Sequence, residues 1–202
     1  MRIITIDEGN SKTNVAIFNN GNLELILPFN QFQPHPTDII ILSSVKKNST
    51  IHCHFNLKDF HQNNSFFNMP VDYAETLGID RLIAGYFAYS KQSNAVVIDA
   101  GTFITIDYIS QNGLEGGFIF PGINCFLESY TRCSLLPNLN KIKKNVTLPH
   151  NTEDAILGAT NIYLESILKE TIKKFSPCKL YLTGGNSEVI KNKIEKINLV
   201  IE

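Results

Sequence analysis

Two stretches of this chain are built alike, and that likeness limits the folds open to it more than any other feature. In "IITIDEGNSKTNVAIF", residues 3–18, an apolar strand (Ile3, Ile4, Ile6) runs into Asp7, Glu8, Gly9, Asn10 and Ser11, and a second apolar run (Val15, Ala16, Ile17, Phe18) follows. In "NAVVIDAGTFITIDYI", residues 94–109, Val96, Val97 and Ile98 run into Asp99, Ala100, Gly101 and Thr102, and a strand over 103–109 follows. Short β-branched runs bounded by Gly, Asn and Asp read as strands. Setting Asp7 on Asp99 sets Gly9 on Gly101 and Asn10 on Thr102. One such turn is also what an ordinary hairpin uses, since Gly and Asn tolerate positive φ. Two of them imply a duplicated fold with two loops of one job.

The physics of that job is phosphate binding. Glycine lets the backbone approach an anion, and successive N–H groups in a tight turn form an anion-binding concavity. Asn10, Ser11 and Thr102 add short donors. A carboxylate beside a polyphosphate repels it unless a cation stands between, so Asp7 and Asp99 read as cation-holding groups. Mg²⁺ keeps several waters and takes one or two carboxylates plus phosphate oxygens. Farther on, "GGFIFPG" (116–122) and "KLYLTGGNS" (179–187) place glycine pairs around strands. The second suits an adenosine lying against bare backbone, and it equally suits a plain strand-to-helix turn.

Strands are expected near 2–7, 13–19, 23–28, 38–42, 95–99, 103–109, 117–120 and 179–183, and helices near 74–90, 124–135, 153–175 and 187–194. Region 46–72, rich in Asn, His and Phe, has no readable period. The pattern predicts an α/β chain of helices packed on mixed sheets. With 43% hydrophobic and 18% charged residues and a net charge of -1, nothing recommends a nucleic-acid or membrane-surface partner. Lys141, Lys143 and Lys144 form a short basic cluster that reads as a solvated face. Cys53, Cys125, Cys133 and Cys178 show no metal-ligand spacing, and His52, His54 and His61 lie in a polar stretch that reads as surface. The chain opens on a strand rather than a signal peptide, so reduced cysteines and a cytoplasmic setting are expected.

Taken in order, the DxGN turn, "LGIDRLIAGYFA" (77–88), the DAGT loop, "GGFIFPG", "NTEDAILGA" and "LTGG" resemble the type III pantothenate kinases. These belong to the acetate and sugar kinase, Hsp70 and actin superfamily. The resemblance runs from residue 3 to about 187. It implies a duplicated RNase H-like fold, with halves at 1–92 and 93–202 and a nucleotide cleft between them. It also implies transfer of the ATP γ-phosphoryl group to the primary hydroxyl of pantothenate, the first step toward coenzyme A.

Carried over by position, Asp7, Glu8, Gly9, Asn10, Ser11, Lys12, Thr13, Asn14 and Thr102 would hold ATP. Asp7 would also hold Mg²⁺ through water. Gly78, Ile79, Asp80, Arg81, Tyr73 and Thr152 would contact pantothenate. Asp80 would be the catalytic base, and Asp99 the site of a monovalent cation, K⁺ or NH₄⁺. An N-cap and an early helical arginine would use the same residues as Asp80 and Arg81. For Thr152, cap and substrate contact are both open. The family implies a homodimer, for which the apolar segment 118–136 is a candidate face. Glu8 stands where the family is usually aliphatic, Phe103 where it usually has alanine, and the proline usual after the tyrosine is absent at Ala74. A sugar or carboxylate kinase of the same superfamily would keep both phosphate loops, as would a nucleotide-bound transcriptional accessory factor.

Overall fold

The computed structural model describes residues 1–91, 94–139 and 148–196. The basic cluster at Lys141, Lys143 and Lys144 and the expected boundary at 92–93 lie outside the described residues. The chain forms two compact units, Met1–Phe87 with Asn112–Leu114, and Ala88–Gln111 with Glu115–Glu202.

In the first unit, β1 (Arg2–Glu8), β2 (Thr13–Asn19), β3 (Asn22–Pro28), β4 (Ile39–Ser44) and β5 (Phe55–Asn56) form one sheet in the order β3-β2-β1-β4-β5. The central β1 runs antiparallel to β2 and parallel to β4. Alternation along the pleat sends Ile4 and Ile6 to one face, where they meet Val15, Ile17 and Leu42 in a core. Asn20 and Gly21, at φ 48° and 84°, make the two-residue turn between β2 and β3. The unreadable region 46–72 holds β6 (His61–Gln62), β7 (Ser65–Phe66) and β8 (Met69–Pro70), a small antiparallel sheet. Its first turn is Asn63-Asn64, both at positive φ. Two-residue strands are too short to show a period, which is why the sequence left them blank.

Helix α1 (Ile79–Tyr89) begins five residues later than expected from 74, because 74–78 is a turn closed by Leu77 N–H on the Ala74 carbonyl. The Gly78 carbonyl then accepts the first helical bond from Leu82 N–H.

In the second unit, β9 (Ala95–Ala100), β10 (Phe103–Ser110), β11 (Gly113–Pro121) and, later in the chain, β12 (Lys179–Thr183) form a sheet in the order β11-β10-β9-β12. β9 is antiparallel to β10 and parallel to β12. Each unit thus sets its first strand between a hairpin partner and a later parallel strand, which is the duplication expected from the two turns. Between β11 and β12 come α2 (Ile123–Glu128) and α3 (Thr152–Phe175), and α4 (Ser187–Lys196) follows β12. Val96, Ile98, Ile104 and Ile106 of the sheet pack with Leu157, Leu164 and Leu168 of α3 and Ile190 and Ile194 of α4.

Helix α2 is shorter than the expected 124–135 and tightens into a 3₁₀ turn at Ser129–Arg132. There the Ser129 and Thr131 hydroxyls donate to the Phe126 and Glu128 carbonyls. Such local bonds compete with helix continuation.

Two glycines shape the turn after β9. Gly122 N–H donates to the Thr102 carbonyl at 3.1 Å, and a Cβ at Gly122 would stand 2.3 Å from that oxygen and 2.6 Å from the Gly101 carbonyl. Gly184, at φ +91°, would place a Cβ 2.4 Å from Asp99 Oδ1. We expect Gly122→Ala to lower unfolding free energy by about 1–3 kcal/mol, the range for forced overpacking. Gly185→Ala, where a Cβ meets nothing within 4 Å, should stay within about 0.5 kcal/mol of wild type. Chemical denaturation of the two variants side by side checks both.

Candidate functional site

In the first unit, strand pleating separates two adjacent carboxylates. Glu8 continues the face of Ile4 and Ile6 and is 5% exposed, whereas Asp7 turns to the opposite face and remains accessible. The buried Glu8 is fully engaged. Its Oε2 accepts from Ser44 Oγ at 2.6 Å, and its Oε1 lies 3.0 Å from Lys46 Nζ. The Ser44 hydrogen bond, helped by Ser49 and Lys46 and opposed by burial, holds the Glu8 carboxyl down at about 2. The buried charge is balanced within the sheet.

Asp7 has the reverse environment. Although the residue is accessible, its carboxyl is hemmed in closely enough for desolvation to raise its pKa, and the charge of Asp80 raises it further. The turn beyond it is closed by Gly9 N–H on the Lys12 carbonyl at 3.0 Å. Asn14 stands in register with Asp7 on β2, and Ser43 does so on β4. These three residues form a polar row across three strands, on the face away from the core. Asn10 and Lys12 are exposed in the turn, and Thr13 pairs with Glu8 on the core side.

Asp80 lies in the first turn of α1, and its Oδ1 accepts from Arg81 N–H at 2.9 Å. It does not cap the helix. Arg81 is 5% exposed, and its guanidinium sits 4.9 Å over the Tyr73 ring and donates to the Tyr73 hydroxyl at 3.4 Å. This is a cation–π arrangement that fixes the fork of an arginine. The structure therefore brings Asp7 and Asp80 within electrostatic reach, and joins Arg81 to Tyr73. Gly78 and Ile79 line a cavity of about 630 Å³ together with Lys58, His61, Gln62 and Glu75.

Among the described residues no group of three or more His, Cys, Asp or Glu could hold a metal alone. Asp7, with the charge of Asp80 near enough to act on it, still suits Mg²⁺, which completes its shell with water and phosphate oxygens.

In the second unit, Asp99 stands in register with Thr105 on β10 and Thr183 on β12. The arrangement repeats that of Asp7, with a polar residue on the hairpin partner and a hydroxyl on the parallel strand. Asn186 N–H donates to the Ala100 carbonyl at 2.9 Å, so the glycine turn after β12 is tied to the end of β9. Thr102 follows Gly101 in the turn whose backbone Gly122 abuts. The turns differ in length: residues 9–12 separate the last pair Glu8↔Thr13, while residues 101–103 separate Ala100↔Ile104.

Thr152 does not cap α3. Asn151 does, its Oδ1 accepting from Asp154 N–H at 2.8 Å while its Nδ2 donates to Asp154 Oδ2 at 2.7 Å. The amide side chain reaches N3 one residue earlier than expected, which leaves Thr152 exposed as the first helical residue. Ser43, Ser44 and Lys46 were missed from sequence. Their only signal is the Ser-Ser pair ending an apolar run, and its meaning depends on the parallel register with β1.

Comparison with known proteins agrees with this layout. The family model described as type III pantothenate kinase matches residues 23–174. A type III pantothenate kinase of Campylobacter hominis is 33% identical over 98% of this chain and 94% of its own. A structure from Campylobacter jejuni, assigned to the Baf family of transcriptional activators, superposes with a TM-score of 0.61 at 25% identity, over 97% of this chain and 100% of that one. A Listeria monocytogenes protein classed as an N-acetylmannosamine kinase gives 0.52 at 14% identity, over 100% and 92%, a likeness of fold alone.

The depressed Glu8 carboxyl has a consequence for stability. A folded-state pKa below the ordinary 4.5 contributes stability that is present above 4.5 and lost as pH falls through about 2. Glu8→Gln should flatten the acid limb of the stability–pH curve between about 4.5 and 2, measured by urea unfolding across that window.

Proposed function

The chain belongs to the type III pantothenate kinase family, and from that premise we propose how its residues divide the work. The family's reaction is ATP-dependent phosphorylation of pantothenate on the way to coenzyme A. Asp80 is the base that accepts the proton of the attacking hydroxyl. Arg81, oriented by Tyr73, binds the substrate's carboxylate or the moving phosphoryl group, since a guanidinium fork suits either anion. Gly78 and Ile79 border the substrate, and the 630 Å³ cavity they line is large enough for a molecule of that size. Thr152, exposed at the start of α3, offers a hydroxyl for pantothenate.

The turn at Gly9, Asn10, Ser11 and Lys12, with Thr13 and Asn14, binds the phosphates of ATP, as does Thr102 in the second unit. Glu8 serves this turn from beneath, by bracing β1 against β4. Asp7 would hold Mg²⁺ through water, and that ion, when bound, would offset charge on the phosphates. Asp99, between Thr105 and Thr183, holds the monovalent cation. Phosphoryl transfer asks mainly for positioning and charge neutralisation, so the residues' chief task is to align hydroxyl and phosphate.

The observation that carries this reading is the Asp7–Asp80 pair: two acidic groups, from a phosphate-type turn and a helix start, whose charges reach one another. A regulator without catalysis has no need of the second. The exposed Phe118 and Ile119 of β11 support segment 118–136 as the face of a homodimer. The polar, near-neutral composition supports a cytoplasmic setting, and among the described residues no helix is long and apolar enough to cross a membrane.

Asp80→Asn should lower turnover by about 10²–10⁴-fold, the usual worth of a positioned base, while the melting temperature holds. ADP release with ATP and pantothenate, beside a panel of sugars and acetate, reads this directly. Turnover within a few-fold of wild type would remove Asp80 as the base. Asp99→Asn should weaken ATP use and blunt the response to K⁺, and an unchanged K⁺ titration would count against that site.

A further inference from the structure

Among the described residues two buried side-chain oxygens have no hydrogen-bond partner, Asp38 Oδ1 and Ser43 Oγ. The first is compensated by Arg2, whose Nε lies 3.5 Å away. Ser43 has no such relief and is 7% exposed. A buried hydroxyl with nothing to bond is destabilising, and folded proteins keep few of them. Its position says what it is for. Residue 44 faces the core side of the sheet, as the Ser44–Glu8 bond shows, so pleating turns residue 43 to the other side. There its register partner on β1 is Asp7, about 5 Å away at the ordinary strand spacing. The second unit repeats the placement, with the hydroxyl of Thr183 on the parallel strand in register with Asp99.

We infer that Ser43 is a positioning residue for Asp7, whose hydroxyl donates to the ionised Asp7 carboxylate and fixes its orientation when the nucleotide's cation is bound. The inference rests on the reading of Asp7 given under Proposed function. Outer partners of this kind set the aim of a metal-holding carboxylate without touching the metal. Ser43 is well suited to the task because nothing else uses its proton. A hydroxyl already bonded within the sheet, like that of Ser44 on Glu8, is not available for this task.

The test compares wild type, Ser43→Ala and Ser43→Thr by three measurements: Mn²⁺ binding in the presence of ADP followed by electron paramagnetic resonance, the Mg²⁺ dependence of turnover, and the melting temperature. Ser43→Ala should weaken Mn²⁺ binding by about 10- to 100-fold, the scale for loss of an outer-shell partner. It should raise the half-saturating Mg²⁺ concentration in parallel, and its melting temperature should equal or exceed that of wild type. Ser43→Thr, which keeps the hydroxyl, should bind Mn²⁺ nearly as wild type does. Unchanged Mn²⁺ affinity in Ser43→Ala would overturn the inference. So would a lowered melting temperature with no recovery in Ser43→Thr, which would mark a packing role. A wild-type chain that shows the Ser43 dependence of Mn²⁺ binding but fails to phosphorylate pantothenate would overturn the kinase assignment and leave Ser43 in its role.

Discussion

The register of the first strand in each unit decides which side chains join the core and which turn to the other face. In β1 a slip of one residue would bury Asp7 and expose Glu8, because side chains alternate with a period of two. The register is held from both sides. β2 pairs along the whole of β1, from Arg2↔Asn19 to Glu8↔Thr13, and β4 pairs from Ile3↔Ile39 to Glu8↔Ser44. The Glu8 ion pair with Lys46 and its bond from Ser44 lock the last step of that pairing. Glu8 thus helps to aim its neighbour.

The two carboxylates show how placement sets chemistry. Glu8 and Asp7 are adjacent in sequence, yet donors and a cation lower the pKa of one, while desolvation and a second acid raise that of the other. In the proposed role of Asp7, the cation that accompanies a nucleotide would relieve its raised carboxyl. The second unit builds its turn by different means. Gly122 and Gly184 let neighbouring backbone come within contact of residues 99–102, a closeness that any side chain at those positions would disturb.

Much of this was legible beforehand, for physical reasons. The strands around both Asp-x-Gly turns, the duplication and the long helix α3 follow from apolar runs and period, and the structure bears them out. The Arg81–Tyr73 contact was legible only as two members of one motif set. What sequence could not give depends on pairing across distance. Ser43 and Ser44 gain meaning only from β4 lying parallel to β1, and Asn151 takes the cap of α3 because its amide, rather than the Thr152 hydroxyl, reaches Asp154. The hairpins of 61–70 were invisible because two-residue strands carry no period, although Asn63-Asn64 is a turn signal in hindsight.

The account stands on the electrostatic coupling between Asp7 and Asp80, which carboxyl-detected NMR titration measures residue by residue. Asp7 should titrate above the ordinary carboxylate value of 3.8, move down in an Asp80→Asn background, and move down again when Mg²⁺ and ADP are added. An Asp7 carboxyl that titrates at its ordinary value, indifferent to residue 80 and to the metal nucleotide, would contradict it.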